Sequence, residues 1–73
     1  MLKPLTTGEV ARACQVSQAT VINWIRDRGL MAFTTPGGHF RVLVDDLQNF
    51  ASQYRMPIDW QAIGLSTDKD HTA

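Results

Sequence analysis

Hydrophobic residues recur at helical spacing in three separate stretches of this 73-residue chain. Before the first stretch stands Thr6, with Glu9 three positions later, which is the capping-box signature of a helix N-terminus. This pattern predicts a short helix over residues 7–13. The second stretch, Ser17–Arg28, begins on a favourable N-cap residue and stops before Gly29, a residue type that suits the left-handed position after a helix. The chain therefore starts with two short helices joined by a tight turn.

The second predicted helix has two faces of different character. At about 100° per residue, the inward face is expected to hold Val21, Trp24, Ile25 and the stem of Arg28. The outward face carries Ala19, Asn23 and Arg26, with Ile22 beside them and Gln18 and Thr20 near the N-terminal end. One face is thus suited to the core and the other to a ligand.

A hairpin is predicted next, because Thr35-Pro36-Gly37-Gly38 suits a turn with proline at its second position and positive φ at its third. Folding there pairs Thr34 with His39 and Phe33 with Phe40, and it extends the ladder to Ala32 with Arg41 and Met31 with Val42. This register predicts an apolar side made of Met31, Phe33, Phe40 and Val42. The other side, with Ala32, Thr34, His39 and Arg41, is predicted to be polar and basic.

A third helix is predicted after the hairpin, with Asp45 as its N-cap and Gln48 completing a capping box. Inward positions at helical spacing are Leu47, Phe50, Ala51 and Tyr54. Pro57 marks the end of the helix. The aromatic residues expected in the core are Trp24, Phe33, Phe40 and Phe50.

The C-terminal part is short and mixed in composition. We expect a winged-helix domain over residues 1–56 and a partly disordered tail or linker over residues 57–73. Trp60, Ile63 and Leu65 are more apolar than a plain tail requires. Two interpretations stay open: they dock on the domain, or they begin a linker to a further domain.

Composition narrows the function classes. A single cysteine, Cys14, allows no internal disulfide and fits a reducing cytoplasm. With two distant histidines it makes no four-ligand zinc site, so no metal and no cofactor is expected. No apolar run approaches the length of a membrane span, and no nucleophile–base–acid set suggests an enzyme.

The charges are distributed unevenly, although the net charge is zero. Residues 1–43 hold five basic and two acidic side chains, whereas residues 44–73 hold two basic and five acidic side chains. This local positive charge keeps a nucleic-acid partner possible.

Residues 5–54 resemble the MerR-like winged helix-turn-helix family, including its single-domain excisionase-type members. The resemblance rests on Thr7-Gly8-Glu9-Val10-Ala11, Val16-Ser17, Thr20-Val21, Trp24, Gly29-Leu30 and Thr35-Pro36-Gly37-Gly38-His39 with Arg41. It implies a mainly α fold with a small β-hairpin: a helix-turn-helix, a two-stranded wing and a third helix. Phe40 and Val42 depart from the family pattern, which commonly has a basic residue and an aromatic there. The long dimerising helix and effector-binding region of full MerR regulators are absent.

The resemblance also implies double-stranded DNA as the partner, with the helix over about 17–28 in the major groove and the wing over about 33–41 on backbone or minor groove. By position it carries over Ser17, Thr20, His39 and Arg41. The residue types add Gln18, Asn23, Arg26, Gly37 and Gly38 as expected DNA contacts. A structural role is the alternative for several of these, since Thr20 can bond its own helix and His39 can tie the turn together.

The expected role is transcription regulation by a cytoplasmic, nucleoid-associated protein of bacterial or phage type. An excisionase-like recombination accessory factor and a protein-interaction adaptor are the alternatives. Because one small module binds weakly, further copies or a linked domain are expected to supply affinity.

Overall fold

The computed structural model describes residues 3–64, in which three α-helices pack against a small antiparallel sheet. The elements in chain order are β1 (Leu5–Thr6), α1 (Thr7–Cys14), α2 (Gln18–Asn23), a π turn (Trp24–Arg28), β2 (Phe33–Thr34), β3 (Phe40–Val42), α3 (Val44–Tyr54) and a 3-10 helix (Trp60–Ile63). The predicted fold class, a winged helix-turn-helix, is confirmed. No helix in the described part of the chain is long and apolar enough to cross a membrane.

The capping box predicted for α1 is present. The backbone N–H of Glu9 donates to Thr6 Oγ1 over 3.0 Å, and Glu9 Oε1 accepts from the Thr6 N–H at 2.9 Å. These two bonds satisfy amides that the first helical turn leaves without partners. At the other end Gln15 adopts the left-handed conformation, with φ of 60°, and turns the chain toward α2.

The second helix begins as predicted and ends differently. Ser17 Oγ accepts from the Thr20 N–H at 3.1 Å, so Ser17 is the N-cap, and Gly29 closes the helix with φ of 85°. Between them the last turn is a π turn, in which the N–H of Gly29 donates to the Trp24 carbonyl five residues earlier. The wider turn breaks the 100° spacing on which the inward prediction for Arg28 rested. Arg28 is exposed, and that prediction is wrong.

The predicted hairpin exists, but its register is displaced by one residue. Phe33 pairs with Arg41 and Thr34 with Phe40, in place of the predicted Phe33–Phe40 pairing. The N–H of Thr35 donates to the His39 carbonyl at 2.8 Å, so the loop has three residues instead of four. Such loops take the left-handed conformation at their last residue.

Gly38, with φ of 84°, is that last residue, so the predicted positive φ at Gly37 is wrong. A shift of one residue exchanges the faces of one strand relative to the other. Phe33, predicted for the core, is therefore exposed and lies across from Arg41 on the outward face, and Met31 is exposed as well. Ala32 packs against the core instead of lying on the polar side.

A third strand, which the sequence analysis did not predict, completes the sheet. β1 pairs antiparallel with β3, placing Leu5 opposite Val42 and Thr6 opposite Arg41, and the strand order is β1-β3-β2. Leu5 and Val42 are both buried. The wing is thereby attached by backbone hydrogen bonds to the strand that leads directly into α1.

The N-terminus of α3 differs from its prediction. The helix begins at Val44 with Leu43 at the N-cap position, and no side chain caps it, so Asp45 and Gln48 form no capping box. Asp45 and Asp46 lie in the first turn, where carboxylates interact favourably with the helix dipole. Tyr54, predicted to face inward, is 46% exposed at the other end.

The core lies between the helices and the inner face of the sheet. Its buried members are Leu5, Val10, Ala11, Val21, Leu30, Val42, Val44, Leu47 and Phe50. Trp24 and Phe40 are half-buried, and the Trp24 ring lies 5.4 Å from that of Phe50.

The segment after α3 turns back onto α1. The Asp59 N–H donates to the Ala13 carbonyl at 2.8 Å, and Met56, Ile58, Trp60 and Ile63 pack against the core. Of the two interpretations left open for the apolar C-terminal residues, Trp60 and Ile63 follow the one in which they dock on the domain. Leu65 and the rest of the expected tail lie outside the described residues.

The displaced register makes a prediction for the two wing glycines. Gly38→Ala should lower the free energy of unfolding by about 1 kcal/mol, because its φ is one that alanine rarely adopts. Gly37→Ala should cost less, since its φ is not positive and its Cβ would make only ordinary contacts, with the His39 ring at 3.4 Å and Thr35 Oγ1 at 3.9 Å. Urea denaturation of both variants tests this, and equal losses would contradict the three-residue loop.

The docked C-terminal segment predicts that Trp60 stabilises the domain. Trp60→Ala should lower the free energy of unfolding by roughly 1–3 kcal/mol, below the value for a fully buried tryptophan because this side chain is half-exposed. Gln61→Ala, at an exposed neighbour, is the control and should change little. If both variants have the same midpoint of thermal unfolding, the C-terminal segment does not pack against the domain in solution.

Candidate nucleic-acid interface

An open depression of about 550 Å³ lies where α1, α2 and the wing meet. Its lining comes from three parts of the chain, namely Thr6, Thr7 and Gly8, then Gln18 and Ile22, and finally Gly38, His39, Phe40 and Arg41. The N-terminal part of the second helix and the tip of the wing therefore share one surface. Four predicted contact residues, Gln18, Gly38, His39 and Arg41, are brought together there.

Gln18 lies against the beginning of α1. The Thr7 hydroxyl donates to Gln18 Oε1 over 3.4 Å, and a Cβ at Gly8 would stand only 3.2 Å from Gln18 Nε2. Glycine at position 8 thus leaves room for the amide to lie across the helix N-terminus. The side chain remains exposed, with its amide at the edge of the depression.

Ser17 and Thr20 are bonded to each other at the start of the second helix. Their hydroxyl oxygens are 2.9 Å apart, in addition to the N-cap bond that Ser17 accepts. Each hydroxyl has one donor and two acceptor positions, so this pairing leaves capacity for a further ligand. Both residues therefore have a structural role, and their contact with DNA stays a prediction.

Asn23 and Arg26 are exposed on the outward side of the second helix, as predicted. Asn23 is the last residue of α2, and Arg26 lies within the π turn. Turns of this kind are rare and often occur at functional sites. Neither residue lines the depression.

The wing presents a basic tip. The exposed His39 ring lies over Gly37, with Cδ2 at 3.4 Å from where a Cβ would stand, which is an ordinary van der Waals distance. Arg41 is half-buried, and its Nη1 donates to the Phe40 carbonyl at 2.9 Å. A guanidinium has five N–H donors, so this single bond fixes its direction and leaves most donors for an anion.

The wing and the π turn together carry three arginines. Arg41 lies at the wing and Arg26 and Arg28 on the π turn, while the nearest carboxylate along α1, Glu9, is held in the capping box. Asp27 is exposed between the two arginines. Among residues 3–64 no group of three histidine, cysteine or acidic side chains is placed to hold a metal ion.

Cys14 lies away from this surface, in a second depression beside Pro57, Ile58 and Asp59. It is half-buried, and desolvation by burial raises the pKa of its thiol. A raised pKa lowers the thiolate fraction at neutral pH, which is the character of a packing residue and not of a nucleophile.

Several residues of the depression were not predicted as contacts, namely Thr6, Thr7, Gly8, Ile22 and Phe40. Thr6, Thr7 and Gly8 reach the surface because β1 pairs with β3, a pairing too short to leave a pattern in the sequence. Ile22 stands beside the predicted outward face, so its position followed from helical spacing.

Comparison with known families agrees with this geometry. The model of a protein family described as "Helix-turn-helix domain" matches residues 4–55, which is most of the chain. The protein therefore belongs to this family. Its fold and family make it a DNA-binding helix-turn-helix domain. No curated protein and no solved structure gives a significant match.

Proposed function

We propose that this domain is a MerR-like or excisionase-type winged helix that binds double-stranded DNA sequence-specifically. It acts in transcription regulation through this binding and catalyses no reaction. The helix over residues 18–28 would enter the major groove, and the wing would lie on the backbone or the adjacent minor groove. The observation that carries the proposal is the shared surface between Gln18 and Ile22 on the helix and His39 and Arg41 on the wing. One duplex can therefore meet both elements at once.

Phosphate contacts would position the domain. Arg41 supplies a guanidinium already directed by its bond to the Phe40 carbonyl, and His39 is exposed beside it. Gly37 and Gly38 present bare backbone at the tip, which lets a sugar–phosphate chain approach closely. Ser17 and Thr20 would add hydroxyls at the start of the second helix. Such contacts fix the register on the duplex without selecting a sequence.

Base contacts would come from the outward side of the helix. An α-helix fits the major groove, where an amide reads adenine and a guanidinium reads guanine through paired hydrogen bonds. Asn23, the last residue of α2, and Arg26, in the π turn that follows, are both exposed. Gln18, held by Thr7 at the edge of the depression, is the third candidate.

Affinity would require more than one copy or a linked domain. A single module of this kind buries on the order of 600–1,000 Å² on DNA. The described residues carry six basic and five acidic side chains, so net attraction to the duplex is small.

Selection of bound fragments from genomic DNA, carried out at two salt concentrations, tests the proposal. An enriched sequence motif that survives the higher salt supports specific binding. Motifs within promoters favour transcription regulation, whereas motifs clustered beside a recombination site favour the excisionase-like alternative. If no sequence is enriched at either of the two salt concentrations, the proposal is contradicted and a protein-interaction adaptor is favoured.

Arg41→Ala should weaken binding to every DNA sequence and reduce the slope of log K against log salt by about one unit, because one phosphate contact is lost. Arg55→Ala removes an exposed cation at the end of α3, outside the depression, and is the matched control. Fluorescence anisotropy across a salt series gives both slopes. Identical slopes for the two variants would remove the wing from the interface.

Asn23→Ala and Arg26→Ala should each cost roughly 1–3 kcal/mol on the selected site and broaden the sequence preference at one position. Gln53→Ala, an exposed amide on α3, should leave affinity and preference unchanged. Binding to a panel of single-base variants of the site measures this. A loss that is equal across the panel would mean that the residue contacts backbone and not bases.

A further inference from the structure

Ile22 is an apolar residue of the second helix that lines the depression beside the wing. Its side chain is half-buried, yet among residues 3–64 it is not one of the hydrophobic side chains that pack against the buried core. The apolar residues around it in sequence behave differently, since Val21 is buried and both Trp24 and Ile25 pack against that core. Packing of the core therefore does not account for an isoleucine at this position.

Gln18 lies one helical turn before Ile22, and both residues line the depression. Residues four apart are neighbours on the surface of an α-helix, with about 5–6 Å between their Cβ atoms. The Gln18 amide is directed by Thr7, whose hydroxyl donates to Gln18 Oε1 at 3.4 Å. An amide oxygen accepts two hydrogen bonds and an amide nitrogen donates two, so this contact leaves capacity for a base. The helix thus presents a directed amide beside an apolar side chain.

This pair of groups matches the major-groove edge of adenine and thymine. Thymine presents a 5-methyl group there, which apolar side chains contact. Adenine presents an N7 acceptor and an N6 donor, with which an amide forms two hydrogen bonds. Cytosine lacks the methyl group and presents an N4 donor, which an isoleucine cannot satisfy. An isoleucine in the depression therefore favours thymine over cytosine.

We propose that Ile22 is a specificity-determining residue whose side chain contacts the 5-methyl group of a thymine. Gln18, in the preceding turn, pairs with an adenine beside that thymine. The inference rests on the proposed sequence-specific binding of double-stranded DNA, and it names the bases that the start of the second helix selects. Arg41 on the wing has a different role, because a phosphate contact is the same for every sequence.

Replacing thymine by deoxyuridine removes only the 5-methyl group and tests the contact with the unmodified protein. At one thymine of the selected site the replacement should lower affinity about fourfold, the effect of one buried methyl-sized group. Ile22→Ala should bind the thymine and uracil duplexes equally, because the apolar partner is gone. Ile63→Ala makes the same change at a half-buried isoleucine that packs on the core outside the depression, and it should retain the difference. Fluorescence anisotropy measures each affinity.

A scan that replaces each thymine of the site in turn gives the contrary results. If no replacement weakens binding of the unmodified protein, the proposal is overturned. It is also overturned if Ile22→Ala binds both duplexes more weakly and keeps the same difference between them, since Ile22 then only shapes the surface. Circular dichroism establishes that the variants are folded. Ile22→Val removes a single methyl group and should show a smaller difference than the unmodified protein, so it carries the test where Ile22→Ala does not fold.

Replacing adenine by 7-deazaadenine removes the N7 acceptor and tests the role of Gln18. At the adenine beside the responsive thymine the replacement should lower affinity roughly three- to tenfold, since one hydrogen bond is lost. Gln18→Ala should be indifferent to the replacement. Gln53→Ala, at an exposed amide on α3, is the control and should show the full loss. Equal losses for the two variants would contradict the assignment of Gln18.

Failure of this inference is distinguishable from failure of the proposed function. A selected site that the protein binds specifically, with no response to uracil at any thymine, leaves sequence-specific binding in place and removes the role of Ile22. If the selection enriches no site, the proposed function fails and this inference fails with it.

Discussion

The pairing of β3 with both β1 and β2 is the constraint on which the arrangement of this domain depends. Leu5 lies opposite Val42, both buried, and the next residue of β1 is the N-cap of α1. The wing is thereby hydrogen-bonded to a strand that continues directly into the first helix. Since α1 packs on α2, only one strand and one helix separate the wing from the second helix. The depression shared by the second helix and the wing is a consequence of this short path.

Local signals in the sequence predicted the capping of the first helix and both limits of the second correctly, whereas the capping box predicted for the third helix does not form. These signals act within a few residues of the chain, through side-chain caps at Thr6, Glu9 and Ser17 and through the backbone preference of Gly29. Their roles could therefore be predicted without knowledge of the fold. The wing was predicted as an element for the same reason. Its register was wrong because two adjacent glycines each permit positive φ, and only the backbone shows that Gly38 adopts it. That single residue decides whether Phe33 faces the core or the solvent.

Other features depend on long-range contacts and left no readable pattern. β1 has only two residues, so its pairing with β3 could not be predicted from alternation. The π turn arises where Trp24 and Ile25 pack against the core while Gly29 ends the helix, and it moves Arg28 to the surface. Of the expected contact residues, Gln18, Gly38, His39 and Arg41 line one depression, whereas Asn23 and Arg26 are exposed on the second helix and do not line it. Their roles toward DNA are predictions that the geometry supports.

The central claim is that the second helix and the wing meet one duplex together. Amide chemical-shift mapping with a short duplex carrying a selected site tests this most directly. The account predicts the largest shifts at Gln18, Asn23, Gly38 and Arg41, with no change over Trp60–Ile63 on the packed C-terminal segment. Shifts confined to either the helix or the wing, or centred on the 3-10 helix, would contradict it.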